Sequence, residues 1–221
     1  MIRNVVFDMG MVLLVHDPLL SCIRHAGRER AQEVCDAIFW DPEWCQLIDG
    51  GLMKDAEYAP RAQSRLSDPE LKRLVPEILS DWYLDALYPK EGMDLVQKDL
   101  LDRGIRLYIL SNTGFTFHKF CYKISYYDRF SGQILSCEER LMKPDPAIYR
   151  RLCDRFSLEP SECLFIDDLP QHPGRGEHRH AGLLLPGRRR GAATFVSLQP
   201  QRLNRSLFSA LHKAALQAKK Q

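Results

Sequence analysis

A chain of 221 residues with 45% hydrophobic and 27% charged side chains has the composition of an ordinary folded protein; it is long enough for one core with an insertion and too short for two large domains. No window approaches the roughly 20 apolar residues of a membrane span, and the first residues run straight into Val5-Val6-Phe7 without a secretory leader, so a cytoplasmic protein with no membrane partner is expected. The formal net charge of +2 hides an asymmetry: residues 1–171 hold 21 Lys+Arg against 28 Asp+Glu, whereas residues 172–221 hold 10 against one.

The run from Ile2 to Phe7 is β-branched and apolar, ends in Asp8 and is broken by Gly10; it predicts a buried parallel strand with an acid at its carboxyl end. From residue 17 to 88 the apolar positions recur at helical spacing, as in Leu71, Leu74, Val75, Ile78, Leu79, Trp82 and Tyr83, which predicts an insertion of three to five helices. Asp17-Pro18 and Ser67-Asp68-Pro69-Glu70 are helix-start signals within it. Aromatic residues at helical spacing, here Trp40, Trp44, Tyr58, Trp82 and Tyr83, are expected in the core more than in a pocket. His16 and Asp17, just past the first strand, are expected either to reach a ligand or simply to start a helix.

Beyond the insertion, residues 91–103 predict an amphipathic helix stopped by Gly104, and residues 105–110 a second strand that runs into Ser111-Asn112. A helix over 115–124, a strand over 132–135, a helix over 146–156 and a strand over 163–166 continue the alternation. The fold class that follows is α/β, a Rossmann-like open parallel sheet carrying an inserted helical unit. The seven scattered cysteines form no Cys-x-x-Cys pair and are expected as reduced, mostly buried thiols.

In such a sheet ligands bind outside the carboxyl ends of the strands, where Asp8, Ser111-Asn112 and Asp167-Asp168 all fall. A lone acid or Ser-Asn pair after a strand is an ordinary turn or helix start, and a lone Lys143 an ordinary solvated lysine. The ordered set Phe7-Asp8-x-Gly10-x-Val12, Leu110-Ser-Asn-Thr113, Lys143-Pro-Asp145 and Phe165-Ile-Asp-Asp168 resembles the four motifs of the haloacid dehalogenase superfamily, and most of all its bacterial glucose-1-phosphate phosphatase-like branch. The resemblance covers residues 1–171. It implies a core of residues 1–16 and 89–171 and a helical cap over 17–88.

The resemblance further implies Asp8 as nucleophile, forming an aspartyl-phosphate, and Mg2+ held by Asp8, the Gly10 carbonyl and Asp168. Ser111, Asn112 through its backbone or amide, and Lys143 would bind the phosphoryl group, with Asp167 orienting a metal-bound water or Lys143. This chemistry suits phosphoryl transfer, in which neutralisation and in-line positioning dominate. The substrate would be a small phosphorylated metabolite. Most phosphatases of the superfamily place a second aspartate, the general acid and base, where this chain has Gly10. Without that proton a leaving group of low basicity is favoured, such as the anomeric oxygen of a sugar 1-phosphate. Two other readings stand: a haloacid dehalogenase-type hydrolase, and a catalytically impaired phosphate-binding or structural protein.

After Gln171 the resemblance stops. Prolines and glycines at 173, 174 and 176 oppose the helix the family carries there, and back-translating residues 175–187 with GC-ending codons and reading one base further along yields a helix end, a glycine and an apolar strand. Residues 172–221 are therefore expected to be an out-of-frame segment, irregular over 172–190, with one helix over 201–218. On that expectation the basic run Arg188-Arg189-Arg190 is no nucleic-acid site; a genuine basic arm is the other reading.

Overall fold

The structure, a computed structural model, describes residues 2–168 and the backbone of two further strands at 181–186 and 193–198. Four parallel strands form the frame: β1 (Asn4–Phe7), β4 (Arg106–Ser111), β5 (Gly132–Leu135) and β6 (Cys163–Asp167). β1 lies between β4 and β6, with Val6 opposite both Tyr108 and Phe165. The open parallel α/β sheet expected from the sequence is thus present, and its two faces follow the two-residue period of a strand. Val5, Phe7, Leu107, Ile109, Leu164 and Ile166 enter one core cluster. Val6, Tyr108, Leu110 and Cys163 enter the other, against Ile148 and Leu152. Burial on both faces explains why these strands are apolar without alternation.

Between β1 and β4 the chain leaves the sheet through β2 (Leu14–His16) and returns through β3 (Leu87–Pro89), which pair antiparallel with Val15 opposite Tyr88. The ribbon brackets the insertion, whose helices are α1 (Pro18–Ile38), α2 (Pro42–Trp44), α3 (Ala59–Ser64), α4 (Pro69–Asp81) and α5 (Tyr83–Ala86). Asp68 starts α4 as its sequence indicates, its side chain accepting from the Glu70 amide at 2.7 Å with Pro69 in the first turn. Asp17 precedes α1 without such a side-chain bond. Trp44, Tyr58 and Trp82 are buried as expected and Tyr83 partly so, but Trp40 is 48% exposed; it sits where α1 has ended, beyond the packed face.

The ribbon is a correction to the sequence reading, which carried helix from 17 to 88. Three-residue strands have no periodicity of their own, and only their mutual pairing defines them. The return strand is anchored by Lys123, whose Nζ donates to the carbonyls of Tyr83, Leu84 and Leu87 at 2.7, 2.7 and 2.8 Å.

The remaining helices are α6 (Met93–Asp102), α7 (Phe117–Phe120), α8 (Ser136–Glu139) and α9 (Pro146–Phe156). The helix expected over 115–124 is a single turn, α7, followed by a 3-10 turn at Cys121–Lys123, because Phe117 and Phe120 are both drawn into the core. The described cysteines form no disulfide, and four of the seven are buried.

One strand, β7 (Ala181–Pro186), corrects the expected irregularity of residues 172–190, and a second, β8 (Ala193–Leu198), follows beyond that range; residues 172–180 and 187–190 lie outside the described residues. β7 pairs antiparallel with β6, Ile166 opposite Leu183, and β8 pairs antiparallel with β7. The sheet order is β5-β4-β1-β6-β7-β8, parallel at one side and antiparallel at the other. Apolar Leu183-Leu184-Leu185 supplies the strand propensity that the neighbouring prolines and glycines obscure. The helix expected over 201–218 and the basic run at 188–190 lie outside the described residues.

Candidate active site

The parallel order brings the carboxyl ends of β1, β4 and β6 together. Asp8 continues the β1 ladder for one residue, its amide donating to the Ile166 carbonyl at 2.8 Å. The chain then turns tightly: the Met11 amide donates to the Leu14 carbonyl at 2.6 Å, and Met11 adopts a φ of 59°. Gly10 lies inside this turn, bridged to Leu14. A Cβ built on Gly10 meets nothing within 4 Å, so its lack of a side chain answers to no steric demand of the fold.

Asp8, Asp167 and Asp168 converge, with one carboxylate oxygen of each lying within 4.8 Å of the others. Lys143 is buried among them, Nζ at 3.0 Å from Asp8 Oδ1 and 2.7 Å from Asp167 Oδ2. Its side chain is only 8% exposed, so the solvated-lysine alternative is set aside by the structure. The two carboxylates hold the Lys143 ammonium well above the ordinary lysine range against the opposing effect of burial. Burial pushes the Asp8 carboxyl up; Lys143 opposes this, the Asp167 charge reinforces it, and hydrogen bonds from Lys143 and Ser111 lower it again.

Ser111, at the last position of β4, is buried and hydrogen-bonds Asp8. The Asn112 amide spans the Lys143 peptide: Nδ2 donates to the Lys143 carbonyl at 2.9 Å, and Oδ1 accepts from the Lys143 amide at 2.8 Å. Oδ1 and one Nδ2 hydrogen of Asn112 are thus engaged in holding Lys143, and the backbone and the second Nδ2 hydrogen are its donors toward a phosphoryl oxygen. A recess beside this cluster is lined by Val6, Leu110, Tyr149 and Phe165 below Asp8, Lys143 and Asp167.

Among the described residues the cluster contains three carboxylates and one ammonium, an excess of negative charge within that set that is costly in a buried place. A hard divalent cation fits that donor set, since carboxylate oxygens are what magnesium takes and its charge offsets the excess. The predicted ligands Asp8 and Asp168 are in reach of one ion. Asp167, assigned from sequence to an orienting role, contributes a carboxylate to the same cluster while also pairing Lys143. His16, in β2, packs edge-on to Trp82 at 5.6 Å, and the Asp17 amide donates to the Ala86 carbonyl; both stand at the crossing into the insertion.

One acid at this end of the sheet had no sequence signal. Asp49 ends a π-helical turn, Cys45–Asp49, in the insertion. Its carbonyl accepts from Ser136 Oγ at 2.5 Å, and the same hydroxyl accepts from the Thr113 amide at 2.9 Å. It was missed because its neighbours, Ile48 and Gly50, match no motif.

Comparison with known proteins agrees with this geometry. A family profile described as haloacid dehalogenase-like hydrolase matches residues 23–171. Among curated proteins, (S)-2-haloacid dehalogenase 4A of Burkholderia cepacia is 31% identical over 96 residues, 43% of this chain and 41% of that protein. Bifunctional epoxide hydrolase 2 of Sus scrofa is 42% identical over 43 residues, 20% of this chain and 8% of its own length. The matches thus span well under two thirds of these relatives. Among solved structures, a magnesium complex of a HAD family enzyme from Bacteroides thetaiotaomicron superposes with a TM-score of 0.55 at 24% identity, covering 76% of this chain and 85% of that one. The L-2-haloacid dehalogenase of Xanthobacter autotrophicus, with chloropropionic acid covalently bound, gives a TM-score of 0.56 at 19% identity over 76% of this chain and 70% of its own. With more than half of its length matched, the chain belongs to the haloacid dehalogenase-like hydrolases.

Proposed function

We propose that this hydrolase is a magnesium-dependent phosphomonoesterase that works through an aspartyl-phosphate on Asp8, with residues 17–88 as the cap that selects the substrate. The observation that carries the reading is the convergence of the Asp8, Asp167 and Asp168 carboxylates to within reach of one ion, beside Lys143. A haloacid dehalogenase needs only the nucleophile and its cation; a second and third acid are of use when a divalent ion completes the site. The Bacteroides thetaiotaomicron enzyme, also solved with magnesium and inorganic phosphate, supports the same reading.

Asp8, held at the end of β1, attacks phosphorus in line with the departing oxygen. Its second oxygen, Asp168 and the Gly10 carbonyl would hold magnesium. When bound, magnesium neutralises phosphoryl charge. Lys143 adds a fixed positive charge, positioned through the Asn112 amide on its peptide and the Asp167 carboxylate on its ammonium. Ser111 and the Asn112 backbone bind the phosphoryl oxygens. The substrate class is a small phosphorylated metabolite; with no proton donor at position 10, the weak basicity of its leaving oxygen favours a sugar 1-phosphate unless another residue supplies the proton.

The test is a screen of phosphorylated metabolites at neutral pH, with and without magnesium, beside an Asp8→Asn control. Magnesium-dependent release of phosphate that vanishes in the control is expected. Release that survives in Asp8→Asn overturns the assignment. The dehalogenase reading has the Burkholderia cepacia relative behind it; halide release from 2-chloropropionate without magnesium would replace the proposal with that one.

A further inference from the structure

The phosphatase reading leaves one step without a residue. At Gly10 there is no side chain to protonate a leaving alkoxide or to take a proton from the water that cleaves the aspartyl-phosphate. A general acid and base must therefore come from elsewhere, or the site is limited to leaving groups that need no proton.

The turn that carries Asp49 is seated on the same end of the sheet as the site. Ser136 Oγ clasps the Asp49 carbonyl and the Thr113 backbone, next to Asn112, through contacts of 2.5, 2.9 and 3.3 Å. Close approach extends on both sides. A Cβ on Gly50 would lie 3.6 Å from Met142 Sδ, next to Lys143, and one on Gly51 would fall 2.1 Å from the Cys137 carbonyl oxygen. A Cβ on Gly114 would meet Ile48 Cγ2 at 2.6 Å. Glycines at 51 and 114 let the insertion lie directly on the segments after β4 and β5, whereas a side chain at Gly50 would make ordinary contact with Met142. The seat adjoins Thr113 and Met142, the chain neighbours of Asn112 and Lys143 in the phosphoryl site.

The surroundings of Asp49 are those of an acid that exchanges a proton near neutrality. Burial and the Asp55 carboxylate raise its carboxyl to about 7, with the Cys45 thiol opposing and the Asp8 charge adding least. Asp55 is itself fixed, Oδ2 accepting from Trp82 Nε1 at 2.9 Å. Among the described residues, Cys45 and, on α8, Cys137 are titratable groups that sense Asp49. Because Asp8 contributes least, neutralising it with a cation leaves the main causes in place.

We propose, resting on the phosphatase reading, that Asp49 of the insertion is the general acid and base of this enzyme, in place of the missing side chain at position 10. In the first half-reaction the Asp8 oxygen bonds to phosphorus, the bond from phosphorus to the leaving oxygen breaks, and that oxygen takes the Asp49 proton. In the second half-reaction the Asp49 carboxylate takes a proton from water as the water oxygen bonds to phosphorus. The acyl-phosphate bond breaks, Asp8 is freed as a carboxylate, inorganic phosphate departs, and Asp49 is protonated for the next cycle. An acid on the insertion rather than on the sheet also ties proton delivery to the seating of the insertion over the substrate.

The test compares the full chain with Asp49→Asn and with the double variant Gly10→Asp/Asp49→Asn, on p-nitrophenyl phosphate and on glycerol 1-phosphate. Nitrophenolate needs no proton to leave, and the glycerol alkoxide does. Asp49→Asn is expected to lose about 10²-fold or more on glycerol 1-phosphate. It should still release nitrophenolate in a burst and accumulate phosphorylated protein detectable by intact mass. The limb near pH 7 in the unsubstituted enzyme's turnover should disappear. Aspartate at position 10 fits the open space there and is expected to restore glycerol 1-phosphate hydrolysis. An unchanged ratio of the two substrates in Asp49→Asn overturns the proposal. So does the absence of a limb near pH 7 in the unsubstituted enzyme, a measurement independent of any variant's folding. If that enzyme shows no Asp8-dependent hydrolysis of p-nitrophenyl phosphate, the parent reading fails and takes this one with it.

Discussion

At the scale of single residues, the site is an electrostatic balance around Lys143. Its ammonium separates Asp8 from Asp167, so removing it leaves two buried acids facing each other. Lys143→Met is expected to lower kcat by roughly 10²–10³-fold, as loss of a preorganised charge does. In the metal-free protein it should also cost roughly 3–5 kcal/mol in urea unfolding, the range for breaking a buried pair, with magnesium recovering part of that loss. Unchanged unfolding midpoints would mean the lysine is not held as the structure shows. Asn112 acts through Lys143, gripping both sides of its peptide. Asn112→Ala is therefore expected to lower kcat with little change in KM, while Asn112→Asp, which keeps an acceptor for the Lys143 amide, retains more activity; equal loss in both would argue against this positioning role.

At the scale of elements, the crossing between sheet and insertion is held by pairing that neither strand could sustain alone. β2 and β3 are three residues each, too short for a stable isolated ribbon. Lys123 supplies the additional hold by closing three carbonyls at the end of α5 and the start of β3. Lys123→Met is expected to cost about 2–3 kcal/mol, since charge-assisted bonds to carbonyls are among the stronger ones. Faster amide exchange should follow across residues 83–89; uniform exchange in the variant would place the hold elsewhere. The seat of the Asp49 turn is a second joint. Gly51 has a φ of 72° and no room before the Cys137 carbonyl. Gly51→Ala should displace that turn at a cost of about 1–3 kcal/mol and lower turnover of alkyl phosphates more than that of aryl ones.

At the scale of the whole molecule, the buried acids shape stability against pH. The folded Asp49 carboxyl titrates at about 7 against an ordinary value of 3.8, so the folded state binds the proton more tightly than the unfolded one. Its contribution is full below the unfolded value and is lost as pH rises through about 7, at no more than about 1.4 kcal/mol per pH unit. Metal-free protein is expected to be more stable near pH 5 than near pH 8, and Asp49→Asn should flatten that slope when both are unfolded in urea across the range. A slope that the substitution leaves unchanged would assign it to other groups. The mixed sheet belongs to this scale too. Its parallel part carries the site, whereas its antiparallel extension, β7 and β8, comes from the basic segment. We propose that this segment is read out of frame; the nucleotide sequence decides it, and a coding region with no shifted frame restoring the family pattern rules it out.

What the sequence determined by itself is the part written in local pattern: apolar runs for the parallel strands, the Asp-Pro start of α4, the acids and serine placed at strand ends, and the lysine of the Lys-Pro-Asp motif. Asp8, Ser111, Lys143, Asp167 and Asp168 were legible there because a parallel sheet sends every strand's carboxyl end to one edge. What only the tertiary structure decided are features that arise from contact between distant segments. The β2–β3 ribbon, the bonds of the Asn112 amide to Lys143, the triple hold of Lys123 and the seating of the Asp49 turn on Ser136 each join residues with no shared periodicity. No propensity encodes such pairs. They exist because burying apolar faces forces the loops together, and the polar groups carried along must then find partners.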